Sequence, residues 1–208
     1  MAALKDSVTK ENLLRAFAGE CQAWRRYELA AGQAKNQKLQ VLYWLFHYTA
    51  NQEKEHAEIF YNHLQVFHGQ EISMCANYPI DHSTDLAILL DCAAKHEADE
   101  YNSIYKSFGD KAIEEGFSAI AASFHMIAEI EKIHSERFAR YAQLMHQNQL
   151  FDNGTPATFI CLNCGHIHHA MGAPQICPVC SHDQGYFVRW EDSPFGKQEI
   201  ILSAGQSL

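Results

Sequence analysis

Two residue pairs constrain this chain more than anything else in it: Glu53 with His56, and Glu131 with His134. Each is a Glu-x-x-His. Residues three apart on an α-helix share a face about one turn apart, so each pair offers a carboxylate and an imidazole to a common point. Glu20 and Glu97 stand on stretches of their own, with Glu100 one turn beyond Glu97. Two such pairs, each joined by a glutamate from another helix, form the ligand set of carboxylate-bridged di-iron or di-manganese sites inside four-helix bundles. Among 25 acidic residues and 13 histidines one Glu-x-x-His arises easily by chance. Two pairs with matched partners are harder to dismiss, because burying five carboxylates and two imidazoles without a cation is prohibitively costly.

The rest of the first 150 residues reads as helices that carry these groups. Thr9 serves as a cap, with Glu11 in the first turn, for a helix running to about residue 35 through Leu13, Phe17, Glu20, Trp24 and Tyr27. A second periodic stretch spans about Lys38 to Phe67 and is stopped by Gly69. Residues 68–83 hold Gly69, Pro79 and Asp81 without a sustained period and read as a connection. Sixteen residues reach roughly 50 Å when extended, more than the ~38 Å length of a 25-residue helix. The connection can therefore run the length of a bundle and leave the second and third helices parallel, the single long crossover of ferritin-like folds. A third helix, capped by Ser83 or Thr84 with Asp85 in its first turn, is expected to pass Gly109 and stop at Gly116. The fourth runs from about Phe117 to about Gln149.

With these boundaries all four helices bring a glutamate to mid-length, so antiparallel packing gathers Glu20, Glu53, Glu97 and Glu131 into one layer. A weak internal repeat accompanies them: Glu20 to Glu53 is 33 residues, and Glu97 to Glu131 is 34. Glu100 breaks it, standing where the first helix has Ala23. Two Fe(II) need four carboxylates for neutrality, and two Fe(III) have use for a fifth. The expectation is that one iron exchanges neutral His56 for Glu100 on oxidation. Tyr27 and Tyr105 are placed to hydrogen-bond the same layer or to pack as core aromatics, while Trp44, Phe124, His47 and His125 read as structural.

The cysteines mark a second module, 151–208, after the bundle of 1–150. Cys161-Leu-Asn-Cys164-Gly165 and Cys177-Pro178-Val-Cys180 form two metal knuckles, and a four-sulfur site suits iron or zinc. Gly165 fits a tight turn beyond a thiolate and Pro178 the entry to the second turn. Residues 158–160 and 185–190 read as short strands, and Glu199-Ile-Ile-Leu as a further strand or a partner contact. Cys21, Cys75 and Cys92 read as buried small hydrophobes. The start, Met1-Ala-Ala-Leu-Lys-Asp, lacks a basic and then apolar leader, and no apolar run approaches the ~20 residues of a membrane span. A cytoplasmic, reducing setting is expected, where clustered thiols bind metal. A net charge of −9 argues against a nucleic-acid partner.

From Asn12-Leu-Leu-Arg-Ala-Phe-Ala-Gly-Glu20 through the paired motifs, Glu97-x-x-Glu100-Tyr101 and both knuckles, residues 9 to about 190 closely resemble the rubrerythrin family. The resemblance implies a ferritin-like bundle with a C-terminal rubredoxin-like domain. It further implies that Glu53 and Glu131 bridge two irons, with Glu20 and either His56 or Glu100 on one, and Glu97 and His134 on the other. Cys161, Cys164, Cys177 and Cys180 would hold a rubredoxin-type iron. The implied activity is reduction of hydrogen peroxide to water, with Glu100, Tyr27 and Tyr105 at the reacting centre. Electrons would come from a reduced pyridine nucleotide through separate redox proteins. Because the cysteine module hangs from the far end of the fourth helix, a head-to-tail homodimer or higher oligomer is expected. The alternatives are a ferroxidase or iron-handling protein of ferritin-like type, and a scaffold with a structural zinc ribbon.

Overall fold

The computed structural model describes residues 3–193; the Glu199-Ile-Ile-Leu segment lies outside them. Helix α1 (Val8–Asn36) turns through Lys38, at φ +60°, into α2 (Gln40–His63). A 3₁₀ turn over Gln65–Phe67 follows, so the second rod ends a turn earlier than its apolar pattern suggests. Residues 68–85 carry no regular secondary structure. The third rod is compound: α3 (Leu86–Asp99), a π-helical turn (Glu100–Ile104) and α4 (Tyr105–Glu114). Gly116, at φ +89°, then reverses the chain into α5 (Ser118–His146).

Two caps differ from the sequence expectation. Ser7, not Thr9, caps α1, its Oγ accepting the Lys10 N–H. Thr9 is drawn into the helix because its hydroxyl donates to Glu115 at the end of α4, 2.6 Å away. Asp85, not Ser83 or Thr84, caps α3 by accepting the Ala87 N–H, while Ser83 Oγ accepts the N–H of Asp85 itself.

Helix directions follow from contacts at the ends. Thr9 at the start of α1 meets Glu115 at the end of α4, and His63 at the end of α2 meets Ser123 near the start of α5. Therefore α2 runs parallel to the compound rod, and the long connection crosses the bundle as expected. It is pinned on α1: Tyr78 donates to Arg15 O, Arg15 Nε donates to Cys75 O, and Arg26 pairs with Asp81 at 2.7 Å. Cys75 is exposed on this strap, and Cys21 and Cys92 are half-buried, which corrects the expectation of buried thiols. Burial pushes the Cys21 and Cys92 thiols up, yet all three stay at the margin because the helix faces beside the strap never enter the core.

The apolar core comes in two bodies. One joins Ala31, Leu42, Phe46, Leu90 and Phe138 at the end where α1 turns into α2. The other joins Leu13, Phe60, Tyr105, Ala121 and Phe124 at the opposite end. Between them lies the level of Glu20, Glu53, Glu97 and Glu131.

The C-terminal part is an antiparallel sheet of β1 (Asp152–Cys161), β2 (Ile167–Gly172) and β3 (Phe187–Arg189) in the order β2-β1-β3. It seats on the α1–α2 end of the bundle, where Val188 and Ile160 join the first core. Arg189 is 2% exposed and clamps the linker, donating to Asn153 Oδ1 and to the carbonyls of Gln149 and Asp152. At Gly185 the backbone comes so close to the bundle that a Cβ would overlap the Lys38 carbonyl oxygen.

Candidate metal centres

Each rod gives the middle layer its acid. Glu20, Glu53 and Glu131 are 0% exposed, Glu97 is 1%, and His134 is 0%. The helical period turns these positions inward just as it turns the Leu and Phe residues above and below them.

Two groups of four form there: Glu20, Glu53, His56 and Glu131, and Glu53, Glu97, Glu131 and His134, with one ligand atom per residue all within 4.8 Å. His56 Nδ1 lies 2.9 Å from Glu131 Oε1, 3.1 Å from Glu53 Oε2 and 4.0 Å from Glu20 Oε1. His134 Nδ1 lies 2.7 Å from Glu131 Oε2, 3.0 Å from Glu53 Oε1 and 3.6 Å from Glu97 Oε2. Two ligand atoms about 2.1 Å from one cation stand roughly 3.0–3.4 Å apart, so both sets suit a shared ion. The hydrogen bonding points the same way. Glu20 Oε2, Glu53 Oε1, Glu97 Oε2, both Glu131 oxygens and His134 Nδ1 are buried without a hydrogen-bond partner, a debt that cations settle.

Electrostatics shows what the layer does with protons. Burial, then the charge of Glu131, raises Glu20; burial and Glu53 raise Glu97; burial and Glu97 raise Glu100. Burial lowers the histidines, but Glu131 and Glu53 outweigh it and bring His56 to about 9 and His134 to about 12. Burial likewise opposes ionisation of Glu131, and the two histidines overcome it to hold that carboxyl at about 2. Protons and metal ions compete for the same lone pairs.

The tyrosines cross over. Tyr27, on the helix of Glu20, donates to Glu97 Oε1; Tyr105, on the rod of Glu97, donates to Glu20 Oε1 at 2.5 Å. Both also pack as core aromatics, Tyr27 on Phe138 and Tyr105 on Phe60. Burial, followed by the charge of Glu97 for Tyr27 and of Glu100 for Tyr105, raises both phenols. The π turn explains an irregularity in the sequence: Tyr27 follows Glu20 by seven residues and Tyr105 follows Glu97 by eight. The wider turn absorbs the extra residue, so both hydroxyls reach the layer. Glu100 opens that turn. It stands outside both four-residue groups but beside them, with its carboxyl buried against the charges of Glu97, Glu131 and Glu53.

The cysteines converge as their spacing requires. Cys161 Sγ lies 3.7 Å from Cys180 Sγ, and Cys164 Sγ lies 3.7 Å from Cys177 Sγ. Metal–sulfur bonds of about 2.3 Å in a tetrahedron give edges of about 3.8 Å. Gly165 adopts φ +76°, and Ser181 takes the same place in the second knuckle at φ +61°. Backbone N–H groups face the sulfurs: that of His182 lowers Cys180 to about 6, whereas burial raises Cys161 to about 12. The four nearby histidines stand outside the four-cysteine group, and the His166 and His168 rings neighbour each other at 6.2 Å.

Sequence reasoning missed β2 and Gln52. Strand β2 is half histidine and methionine and carries no apolar alternation; its pairing is imposed by β1, from Phe159 opposite His168 to Ala157 opposite Ala170. Gln52 accepts a hydrogen bond from His134 Nε2 at 3.1 Å, and its place just before Glu53 was the available signal.

A bundle that devotes its middle layer to carboxylates and imidazoles and then carries a separate tetrathiolate knuckle defines a ferritin-like di-iron protein with a rubredoxin-like appendage. The rubrerythrin family model matches residues 11–142, and the model for the rubrerythrin rubredoxin-like domain matches residues 159–188. The chain belongs to the rubrerythrin family. It is 40% identical to rubrerythrin of Clostridium perfringens over 90% of this chain and 96% of that one. It is 37% identical to rubrerythrin of Nitratidesulfovibrio vulgaris, with the same coverage. A solved structure of nigerythrin in a partially reduced state superposes with a TM-score of 0.59 at 28% identity, covering 91% of each chain. Among the described residues no helix is long and apolar enough to cross a membrane.

Proposed function

We propose that this protein reduces hydrogen peroxide to water at the carboxylate–histidine layer, with electrons arriving through the four-cysteine site. The observation that carries the proposal is the pairing of the two centres in one chain: a ligand layer for two metals, suited to a two-electron reduction, and a tetrathiolate suited to one-electron supply. The metals, when bound, supply two electrons together and Lewis-acid sites for both peroxide oxygens.

The chain's own residues do the rest. Glu53 and Glu131 hold the two halves in register, and Glu20, Glu97, His56 and His134 complete them. Tyr27 and Tyr105 keep Glu97 and Glu20 oriented and hold protons at their hydroxyls, within reach of the layer. Glu100 would be the carboxylate that holds an oxidised centre in place of His56. The two core bodies exclude bulk water from above and below.

His134 stands twelve residues, or ~18 Å of helical rise, from the end of α5 where the cysteine module is attached. That separation favours a head-to-tail homodimer in which the module of one chain serves the bundle of the other. Separate redox proteins, fed by a reduced pyridine nucleotide, supply the electrons.

The test is peroxide consumption by full-length protein under a limiting reductant. Two electrons used per peroxide, with loss of turnover in Cys164→Ser while the bundle metals remain, is the expected result. Oxygen-driven iron uptake without peroxide turnover would transfer the reading to iron handling.

A further inference from the structure

The two Glu-x-x-His pairs repeat with an offset of 78 positions, yet their surroundings do not. His134 Nε2 lies 3.1 Å from Gln52 Oε1. The same oxygen faces Arg137 Nη1 at 3.5 Å, and that nitrogen also lies 3.4 Å from Thr49 Oγ1. The Tyr48 ring underlies the guanidinium, 5.4 Å from centroid to Cζ. A guanidinium only donates, so it turns the carbonyl end of the Gln52 amide towards itself and hence towards His134. A carbonyl oxygen only accepts, so His134 Nε2 must carry a proton; the proton on Nδ1, which faces Glu53, Glu97 and Glu131, is then the one a metal ion displaces, leaving the Nδ1 lone pair for that ion.

At the equivalent positions around His56, the repeat puts Ile130 for Gln52, Ile127 for Thr49 and Ile59 for Arg137. Three polar residues correspond to three isoleucines, none able to hydrogen-bond an imidazole. Every polar contact of His56 among the described residues is made by Nδ1.

We infer that Gln52, oriented by Arg137, is a positioning residue that locks His134 in the Nε2–H tautomer, whereas the isoleucine set leaves His56 untethered. The two halves of the centre therefore grip their histidines unequally, and the His56 half is the one built to let go. This rests on reading the layer as a metal centre, and it gives that reading a structural reason why His56 rather than His134 is the exchangeable ligand. Partners that hold a ligating histidine by its second nitrogen contribute about 10–100-fold to metal affinity.

The experiment uses zinc(II), diamagnetic and redox-silent, titrated into full-length apoprotein labelled with ¹⁵N-histidine. The four cysteines take one equivalent, and the histidine resonances report the rest. In the zinc-loaded wild type, a slowly exchanging Nε2–H is expected on His134 and not on His56. Gln52→Leu is expected to weaken the step that shifts His134 by about 10–100-fold while the step that shifts His56 stays within about threefold. Gln52→Glu, which keeps an acceptor, restores the Nε2–H. A wild-type His134 protonated at Nδ1, or exchanging as fast as His56, overturns the inference even if Gln52→Leu does not fold. Equal weakening of both steps, or of neither, also overturns it. Zinc that shifts neither histidine overturns the metal-centre reading and this inference with it; zinc that binds with equivalent histidines overturns the inference alone.

Discussion

Glu53 and Glu131 face each other across the bundle, and each points one carboxylate oxygen at His56 and the other at His134. Neither belongs to one half of the layer more than to the other, whereas Glu20 attends only His56 and Glu97 only His134. Losses of metal should follow that division. Glu131→Ala is expected to empty both bundle positions and leave the cysteine site, taking iron from about three per chain to about one, whereas Glu20→Ala spares the His134 half. Metal analysis after purification reads the difference.

Removing the metals should cost the fold dearly, because the layer that separates the two core bodies would then hold unpaired carboxylates. A ligand at a thousandfold excess over its Kd contributes about 4 kcal/mol, and 1 kcal/mol shifts Tm by roughly 2–4 °C for a chain of this size. Chelation is therefore expected to lower Tm by roughly 10 °C or more, measured by calorimetry, with recovery on adding metal back.

Glu115 ties the end of α4 to the start of α1. Burial opposes its ionisation, but the Thr9 hydroxyl and the N–H groups of Thr9 and Val8 outweigh burial and hold its carboxyl below the ordinary 4.5. A depressed folded value means the stabilisation is present above the unfolded value and disappears as pH falls through the folded one. Glu115→Gln should thus cost a few tenths of a kcal/mol to about 1 kcal/mol at neutral pH, the range of a cap whose charge is screened by solvent. The gap between variant and wild type should narrow in denaturant titrations as pH falls below the ordinary carboxyl value of 4.5 and through the depressed folded one.

Gly185 sits where a methyl group would strike the Lys38 carbonyl. Gly185→Ala is expected to push the cysteine module off the bundle end without disturbing its sulfurs, since Gly185 lies outside both knuckles. Faster proteolysis in the linker at residues 147–151, with an unchanged tetrathiolate spectrum, would show this.

The convergence of Glu20, Glu53, His56, Glu97, Glu131 and His134 was legible because a Glu-x-x-His on a helix has few other uses, and because each helix brought its acid to the same depth. The crossover was legible from its length. Local features decided by distant partners were not. Ser7 and Thr9 are both competent caps, and Glu115, more than a hundred residues away, chose between them. The π turn left one trace, the eighth residue between Glu97 and Tyr105, which carries meaning only once both tyrosines are seen to reach the layer. Glu100 reads as a fifth carboxylate from its spacing, whereas its position at the opening of the wide turn left no trace in the sequence. Strand β2 had no pattern of its own to read.

The measurement that tests peroxide reduction most directly is a redox cycle followed by visible absorption, on protein purified without added metal. About three irons per chain, with a thiolate-to-iron charge-transfer band that bleaches under reductant and returns on adding peroxide, is the expected result. Two irons and one zinc, with no bleaching band, would leave the di-iron layer intact and contradict electron delivery through the cysteines.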